Sequence, residues 1–244
     1  MRWFAFSLIP AILIGGFFAF RQVAFSAAVD AAVSMTPDLT PAVILDPGHG
    51  GFDGGAVCNQ VVEKNINLGI SLKLRDLLRV CGYHVALTRE TDISTADSST
   101  EGKSTRSRKV SDMHNRLKLM QSHANAVFIS IHQNKFQQSK YYGAQVFYSP
   151  NHPGSQKLAQ EIQDSFKEYL QPENQREIKK AGSELFLLYN AKQPAVLVEC
   201  GFLSNPQECQ KLTQEEYQRQ VALTILSAVS GYLLPESSDA GLDS

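Results

Sequence analysis

The chain has 244 residues, and its 43% of hydrophobic side chains excludes an intrinsically disordered protein. This length suits one large domain or two small ones. The formal net charge of -1 shows no basic excess, so nucleic acid is not an expected partner.

The N-terminal residues form an apolar segment. Arg2 precedes the stretch from Trp3 to Phe20, which carries no charge, and small residues occupy positions 26–28. This pattern is typical of a secretory signal peptide, but the apolar stretch also reaches the lower length limit of a membrane span. Residues 1–28 are therefore predicted to be a signal peptide or an N-terminal membrane anchor. The small and polar stretch 29–40 is predicted to be a linker.

Strands and helices are predicted to alternate through the rest of the chain. Apolar runs predict strands at 42–45, 84–88, 126–131, 143–148, 184–189 and 195–198. Helical spacing of apolar residues predicts helices at 63–80, 108–122, 158–169 and around 221–226. The polar stretch 91–107 is predicted to be a mobile loop. The pattern predicts a single α/β domain over 41–236, with a mixed, mostly parallel sheet of about six strands flanked by helices, and a polar tail at 237–244.

Three of these strands end in a side chain that can bind a metal or move a proton. His49 follows the first strand within DPGHGG, His132 follows the run AVFISI, and Glu199 follows AVLV. Ligands of open α/β sheets collect beyond the carboxyl ends of the strands. Glu63 opens the helix after the first strand, so it starts near the same edge, although the helix dipole alone would explain an acid there. Two histidines, Glu63 and a water would form an open tetrahedral zinc site.

Glu199 directly follows a buried strand, where a carboxylate is poorly solvated unless it has a partner or a task. Beside a zinc-bound water it could act as a general base. The alternative is a buried ion pair with an arginine such as Arg116. Arg116 could equally bind substrate, and both roles stay open.

The cysteines Cys58, Cys81, Cys200 and Cys209 have the spacing of neither a disulfide framework nor a zinc knuckle. We expect all four to be free thiols. Cys200 adjoins Glu199, where a thiol could bind zinc or oxidise, but a buried small residue is the ordinary explanation.

Several segments resemble the zinc-dependent N-acetylmuramoyl-L-alanine amidases (amidase type 3) that cleave bacterial cell wall. They are DPGHGGFDGGAV, EKNINL, TRETD, FISIHQN, GAQVFYSP and VLVECGFLSNPQE, and they span Ala42 to about Leu234. Together with the apolar N-terminal segment, and without wall-binding repeats, they are most similar to the germination-specific spore cortex members of the family. The resemblance implies that 41–236 is a zinc amidase catalytic domain.

The resemblance also implies a set of site residues. The zinc ligands would be His49, Glu63 and His132, and Glu199 would be the catalytic acid and base. Substrate would be positioned by Asn65, Arg116 and Asn134. The reaction implied is hydrolysis of the amide between N-acetylmuramic acid and L-alanine in peptidoglycan, by a water that zinc activates.

The biological setting follows from the same resemblance. The protein would be exported and act outside the cytoplasm, in the cell wall or the forespore intermembrane space, with membrane contact through its N-terminal segment. Its product would lead to muramic lactam in spore cortex, which requires cooperation with a separate peptidoglycan deacetylase. The sequence points to no particular activating protein.

Three other functions remain as alternatives. The same site could belong to a zinc peptidase of stem peptides, or the chain could be a non-catalytic wall-binding relative or a cysteine hydrolase using Cys200. The basic residues Arg176, Lys179 and Lys180 are either a solvated stretch or a grip on the anionic peptide stem.

Overall fold

The computed structural model describes residues 42–58 and 60–234. The predictions for residues 1–40 and for the polar tail at 237–244 lie outside these described residues. Among the described residues, no helix combines the length and the apolar character that crossing a membrane requires.

The strands form one six-stranded sheet and one small hairpin. In chain order they are β1 (Val43–Pro47), β2 (Val57–Cys58), β3 (Val61–Val62), β4 (Val85–Leu87), β5 (Val127–Asn134), β6 (Gln145–Tyr148), β7 (Lys179–Lys180) and β8 (Ala195–Phe202). The large sheet has the order β4-β1-β5-β8-β6-β7, and β2 pairs with β3 in the hairpin. All neighbours in the large sheet are parallel except β6 and β8. The prediction of a mixed, mostly parallel sheet is confirmed.

Helices cover both faces of the sheet. They are α1 (Glu63–Val80), α2 (Thr105–Gln121), α3 (Pro153–Ser165, extended by one wider turn over Phe166–Leu170), α4 (Phe186–Asn190), α5 (Pro206–Leu212) and α6 (Glu215–Leu233). Side chains of α1, α3, α5 and α6 share one apolar core with one face of the sheet. Side chains of α2 and α4 pack in a smaller core on the other face.

Helix α1 shows how the sequence produces these layers. Ile66, Ile70, Leu74 and Leu78 recur every four residues, and all four are buried against the sheet. Burial of such a side chain contributes about 1.5–3 kcal/mol. The helix ends before Gly82, whose φ of 87° suits glycine.

The predicted strand at 184–189 is wrong, because these residues include the short helix α4. Leu187 and Leu188 are buried in the smaller core while Tyr189 is exposed. A short apolar run supports either a strand or a helix, so periodicity alone does not separate them. The sixth strand of the large sheet is instead β7. Its two lysines are exposed at the sheet edge and give no apolar signal.

The predicted loop at 91–107 ends at Ser104, contains one 3-10 turn at Ser98–Thr100, and is held against α2 by hydrogen bonds. Ser94 Oγ and the Thr95 amide both donate to Asp112 Oδ1, at 2.8 Å and 2.7 Å. Ser111 Oγ of α2 donates to Asp97 Oδ2 at 2.8 Å. Helix α2 begins at Thr105, earlier than predicted, because Ser104 caps it by accepting from the Ser107 amide.

Candidate metal centre

The structure brings the three predicted ligands together at the carboxyl edge of the sheet. His49 lies in the loop after β1, His132 lies in β5, and Glu63 is the first residue of α1. Glu63 Oε2 is 3.3 Å from His49 Nε2, and Glu63 Oε1 is 3.0 Å from His132 Nδ1. One ligand atom from each residue lies within 4.8 Å of the others. Two imidazoles and one carboxylate are the protein ligands of an open catalytic zinc site.

Glu63 is fixed as an ionised carboxylate. Its Oε2 accepts from the Ala56 amide at 2.7 Å, and its Oε1 accepts from the Gln133 amide and from Asn67 Nδ2, each at 3.1 Å. Burial alone would disfavour the charged form, but hydrogen bonds from His132 and His49 outweigh it and hold the pKa of Glu63 far below its usual range. The ionised carboxylate is therefore suited to bind a metal cation.

Asp53 orients the ring of His49. Asp53 Oδ2 is 3.0 Å from His49 Nδ1, and Lys109 Nζ is 3.0 Å from Asp53 Oδ1. Burial lowers the pKa of His49, but hydrogen bonds to Asp53 and Glu63 outweigh it and raise the pKa to about 9. The two carboxylates favour a positive charge at His49, whether a proton or a bound metal ion carries it. With Nδ1 held by a carboxylate, His49 presents Nε2 toward Glu63, in the manner of metal-binding histidines.

Two glycines permit the close approach of the ligands. A Cβ atom on Gly48 would fall well inside contact distance of the His132 ring, with Nε2 as its nearest atom. A Cβ on Gly55 would collide with Glu63 Oε2, and Gly55 has a φ of 70°. The glycine-rich loop is therefore part of the candidate metal centre.

Gly48→Ala is expected to displace the His132 ring and to lower zinc affinity by about tenfold or more, the range seen when ligand orientation is disturbed. The measurement is zinc binding by competition with a colorimetric chelator. Gly231→Ala is the matched control, because it adds the same methyl group to α6 with no atom within 4 Å. Wild-type zinc affinity in Gly48→Ala would show that the glycine is dispensable.

Two buried arginines hold the backbone of the His49 loop. His49 has a φ of 61°, which costs a non-glycine residue about 1–3 kcal/mol unless its surroundings impose it. The His49 carbonyl accepts from Arg89 Nε at 2.7 Å and from Arg116 Nη2 at 2.6 Å. Arg89 Nη2 also donates to the Gly48 carbonyl, and Arg116 Nη1 donates to the Pro47 carbonyl, each at 3.0 Å. These bonds fix the loop conformation that presents His49.

The charge of Arg116 is balanced by two aspartates. Arg116 Nη1 is 2.6 Å from Asp46 Oδ1, and Arg116 Nε is 2.7 Å from Asp112 Oδ2. The predicted alternative of an ion pair with Glu199 is therefore wrong. The reason is that Arg116 lies over β1, where Asp46 points to the α2 face. The guanidinium is buried among these protein groups, and Arg116 also lines the cavity beside the two histidines, so its predicted contact with substrate stays a prediction.

Glu199 lies beside the candidate metal ligands, and no described residue donates a hydrogen bond to its Oε2. It is the register partner of His132 in the β5–β8 pair, so the two side chains share a sheet face. Its Oε2 is buried and forms no hydrogen bond within the described residues. Burial raises the pKa of Glu199 to about 7, with His132 and His49 acting to lower it and Glu63 to raise it. Such a carboxyl group is suited to both accept and donate a proton.

The predicted asparagines differ in their surroundings. Asn134 is half-buried at the end of β5, and Asn65 is exposed on α1. Asn67, one helical turn after Glu63, donates to Glu63 Oε1 and was not predicted as a site residue. Its spacing of four residues from Glu63 was the available signal. Asp53 was also missed, although it lies four residues after His49 in the same motif.

All four cysteines are free, as predicted. Cys200 is buried in the larger core, on the face opposite to Glu199. Burial raises the pKa of the Cys200 thiol well above its usual range, so the thiol is poorly suited to act as a nucleophile.

A cavity of about 270 Å³ adjoins both histidines and leaves room for substrate. Its apolar wall includes Phe52, Met113 and Phe186. Helix α4, which replaces the predicted fifth strand, therefore forms part of the site.

The chain is similar to known amidases. A family model described as N-acetylmuramoyl-L-alanine amidase matches residues 43–231. A germination-specific N-acetylmuramoyl-L-alanine amidase of Bacillus subtilis (strain 168) is 38% identical over 190 residues, which are 78% of this chain and 78% of that protein. The CwlD amidase from Clostridioides difficile, solved in complex with the GerS lipoprotein, has 44% identity and a TM-score of 0.74 over 78% of this chain and 97% of that one. The amidase AmiC2 of Nostoc punctiforme has 25% identity and a TM-score of 0.67 over 80% and 97%.

Proposed function

We propose that this chain works with a zinc ion held by His49, Glu63 and His132. The chain belongs to the N-acetylmuramoyl-L-alanine amidase family and is a cell wall amidase that cleaves peptidoglycan. The observation that carries the proposal is the convergence of these three side chains beside the unpartnered Oε2 of Glu199. The bond cleaved is the amide between N-acetylmuramic acid and L-alanine.

The residues of the site have separate roles in this reaction. A zinc ion bound by the three ligands would lower the pKa of a water and polarise the amide carbonyl. Glu199 accepts the proton of the attacking water and then delivers it to the nitrogen of the leaving L-alanine. Asp53 keeps the His49 ring in its ligand orientation, and Arg89 and Arg116 keep the loop in place. Asn134, at the end of β5, is proposed to contact the substrate.

A narrower role in spore cortex, leading to muramic lactam, is supported by the likeness to the germination-specific relative of Bacillus subtilis. This role requires cooperation with a peptidoglycan deacetylase. The relative solved with a lipoprotein suggests that a lipoprotein partner also assists this chain. We propose that the protein acts outside the cytoplasm, with residues 1–28 serving as signal peptide or membrane anchor and 41–236 as the catalytic domain.

The test is digestion of purified peptidoglycan followed by identification of the new amino termini. The expected product carries N-terminal L-alanine. Treatment with a chelator such as 1,10-phenanthroline should remove activity, and added Zn²⁺ should restore it while Mg²⁺ should not, because the ligand set suits zinc. New termini within the stem peptide would indicate the zinc peptidase instead. Full activity after verified metal removal would overturn the zinc mechanism.

A further inference from the structure

A second cavity, of about 300 Å³, lies beside the metal centre on the same face of the sheet. Its lining includes Asn134, two residues beyond His132, and Gln145 of β6. His132, Glu199 and Gln145 are register partners across β5, β8 and β6, so their side chains share one face. Because neighbouring strands lie about 4.8 Å apart, Gln145 lies about 10 Å from His132. We call this cavity the basic groove.

Two cations line the basic groove. Lys179 is exposed on the edge strand β7 and forms no ion pair with any described residue. Arg176 Nε donates to the Tyr142 carbonyl at 2.7 Å, and Arg176 Nη1 donates to Gln145 Oε1 at 3.2 Å. These acceptors are neutral, and the carboxylate that acts on Arg176 is that of Glu208, which does not line the groove. The guanidinium is held in place before a ligand arrives, which favours recognition of a carboxylate.

Aromatic rings form the rest of the groove. The Arg176 guanidinium lies 4.4 Å from the centre of the Phe202 ring. The Tyr141 ring lies 5.0 Å from the Phe136 ring, centre to centre, and Phe136 is 50% exposed. Such rings offer contact area to the aliphatic part of a ligand that also carries a negative charge.

We propose that the basic groove binds the anionic stem peptide beyond its L-alanine, with Arg176 and Lys179 contacting the carboxylates. This inference rests on the proposed function, which places the L-alanine amide at the metal centre. An extended peptide advances about 3.3 Å per residue, so the third residue past the cleaved bond reaches the groove about 10 Å away. The charge of the groove favours the peptide over the glycan, whose sugars offer it no free carboxylate.

The test compares the variant Arg176→Gln/Lys179→Gln with Lys192→Gln, an exposed lysine before the amino end of β8. The substrates are a soluble muropeptide with free stem carboxylates and the same muropeptide with those carboxylates amidated. On the free substrate, we expect the double variant to raise KM about tenfold or more with little change in kcat, since it loses two charge-assisted contacts. The amidated substrate should show no such difference, and Lys192→Gln should match wild type on both.

An unchanged KM in the double variant would overturn the proposal. An equal rise in KM on both substrates would also overturn it and would assign the groove to the glycan. Calorimetric binding of the free stem peptide to wild type and to the double variant provides an independent readout. If wild type released no N-terminal alanine, the proposed function would fail, while the binding comparison would still decide whether the groove holds the peptide.

Discussion

Glu199→Gln is expected to lower kcat by about 10²–10⁴-fold, the range that general acid and base catalysis contributes. Glutamine keeps the shape of the side chain but cannot take a proton from the attacking water or return one to the leaving amine. Zinc content should match wild type, because Glu199 is not among the grouped ligands. The measurements are release of N-terminal L-alanine under saturating substrate and zinc per chain by atomic emission.

Glu208→Gln provides the matched control for this substitution. Glu208 is half-buried, its carboxylate accepts from the Gly143 and Phe202 amides, and it is not one of the proposed ligands. Its variant should lose stability and keep most of the wild-type kcat. If Glu199→Gln kept wild-type kcat, the proton would have to move through another group.

Arg116→Ala is expected to lower the free energy of unfolding by about 3–5 kcal/mol, because it removes the cation that contacts the buried carboxylates of Asp46 and Asp112. The His49 carbonyl also loses one of its two guanidinium donors. Chemical denaturation of the variant measures the loss. Arg116→Lys should retain only part of the free energy of unfolding, because one ammonium group keeps the positive charge but cannot contact all the acceptors of the guanidinium.

Arg75→Ala is the control for Arg116→Ala. Arg75 pairs with Asp76 and Glu90, both largely exposed, and a surface pair contributes only about 0–1 kcal/mol. A loss below about 1 kcal/mol in Arg116→Ala would contradict the role of the buried ion pairs. If Arg116→Ala fails to fold while Arg116→Lys folds with a lower free energy of unfolding, the result would agree with the role of the buried ion pairs.

The sequence predicted those parts of the fold that depend on local periodicity. Helix α1 has the predicted bounds because its apolar residues recur every four positions and Gly82 follows. The convergence of His49, Glu63 and His132 could be predicted because two strand ends and one helix start meet at the same edge of a parallel sheet.

The parts that were missed depend on tertiary contacts. Strand β7 exists because the backbone of Lys179 and Lys180 pairs with β6, and no apolar pattern marks that pairing. The partner of Arg116 depends on which sheet strand lies beneath α2, which local sequence does not specify. The role of Arg89 also depends on a tertiary contact, because Arg89 reaches the His49 loop only where β4 lies beside that loop.

The most direct measurement is zinc content of wild type and His49→Ala, with release of N-terminal L-alanine measured on the same preparations. We expect about one zinc per folded wild-type chain together with activity, and a folded His49→Ala chain with little zinc and no activity. Wild-type protein that is folded, free of metal and fully active would contradict it.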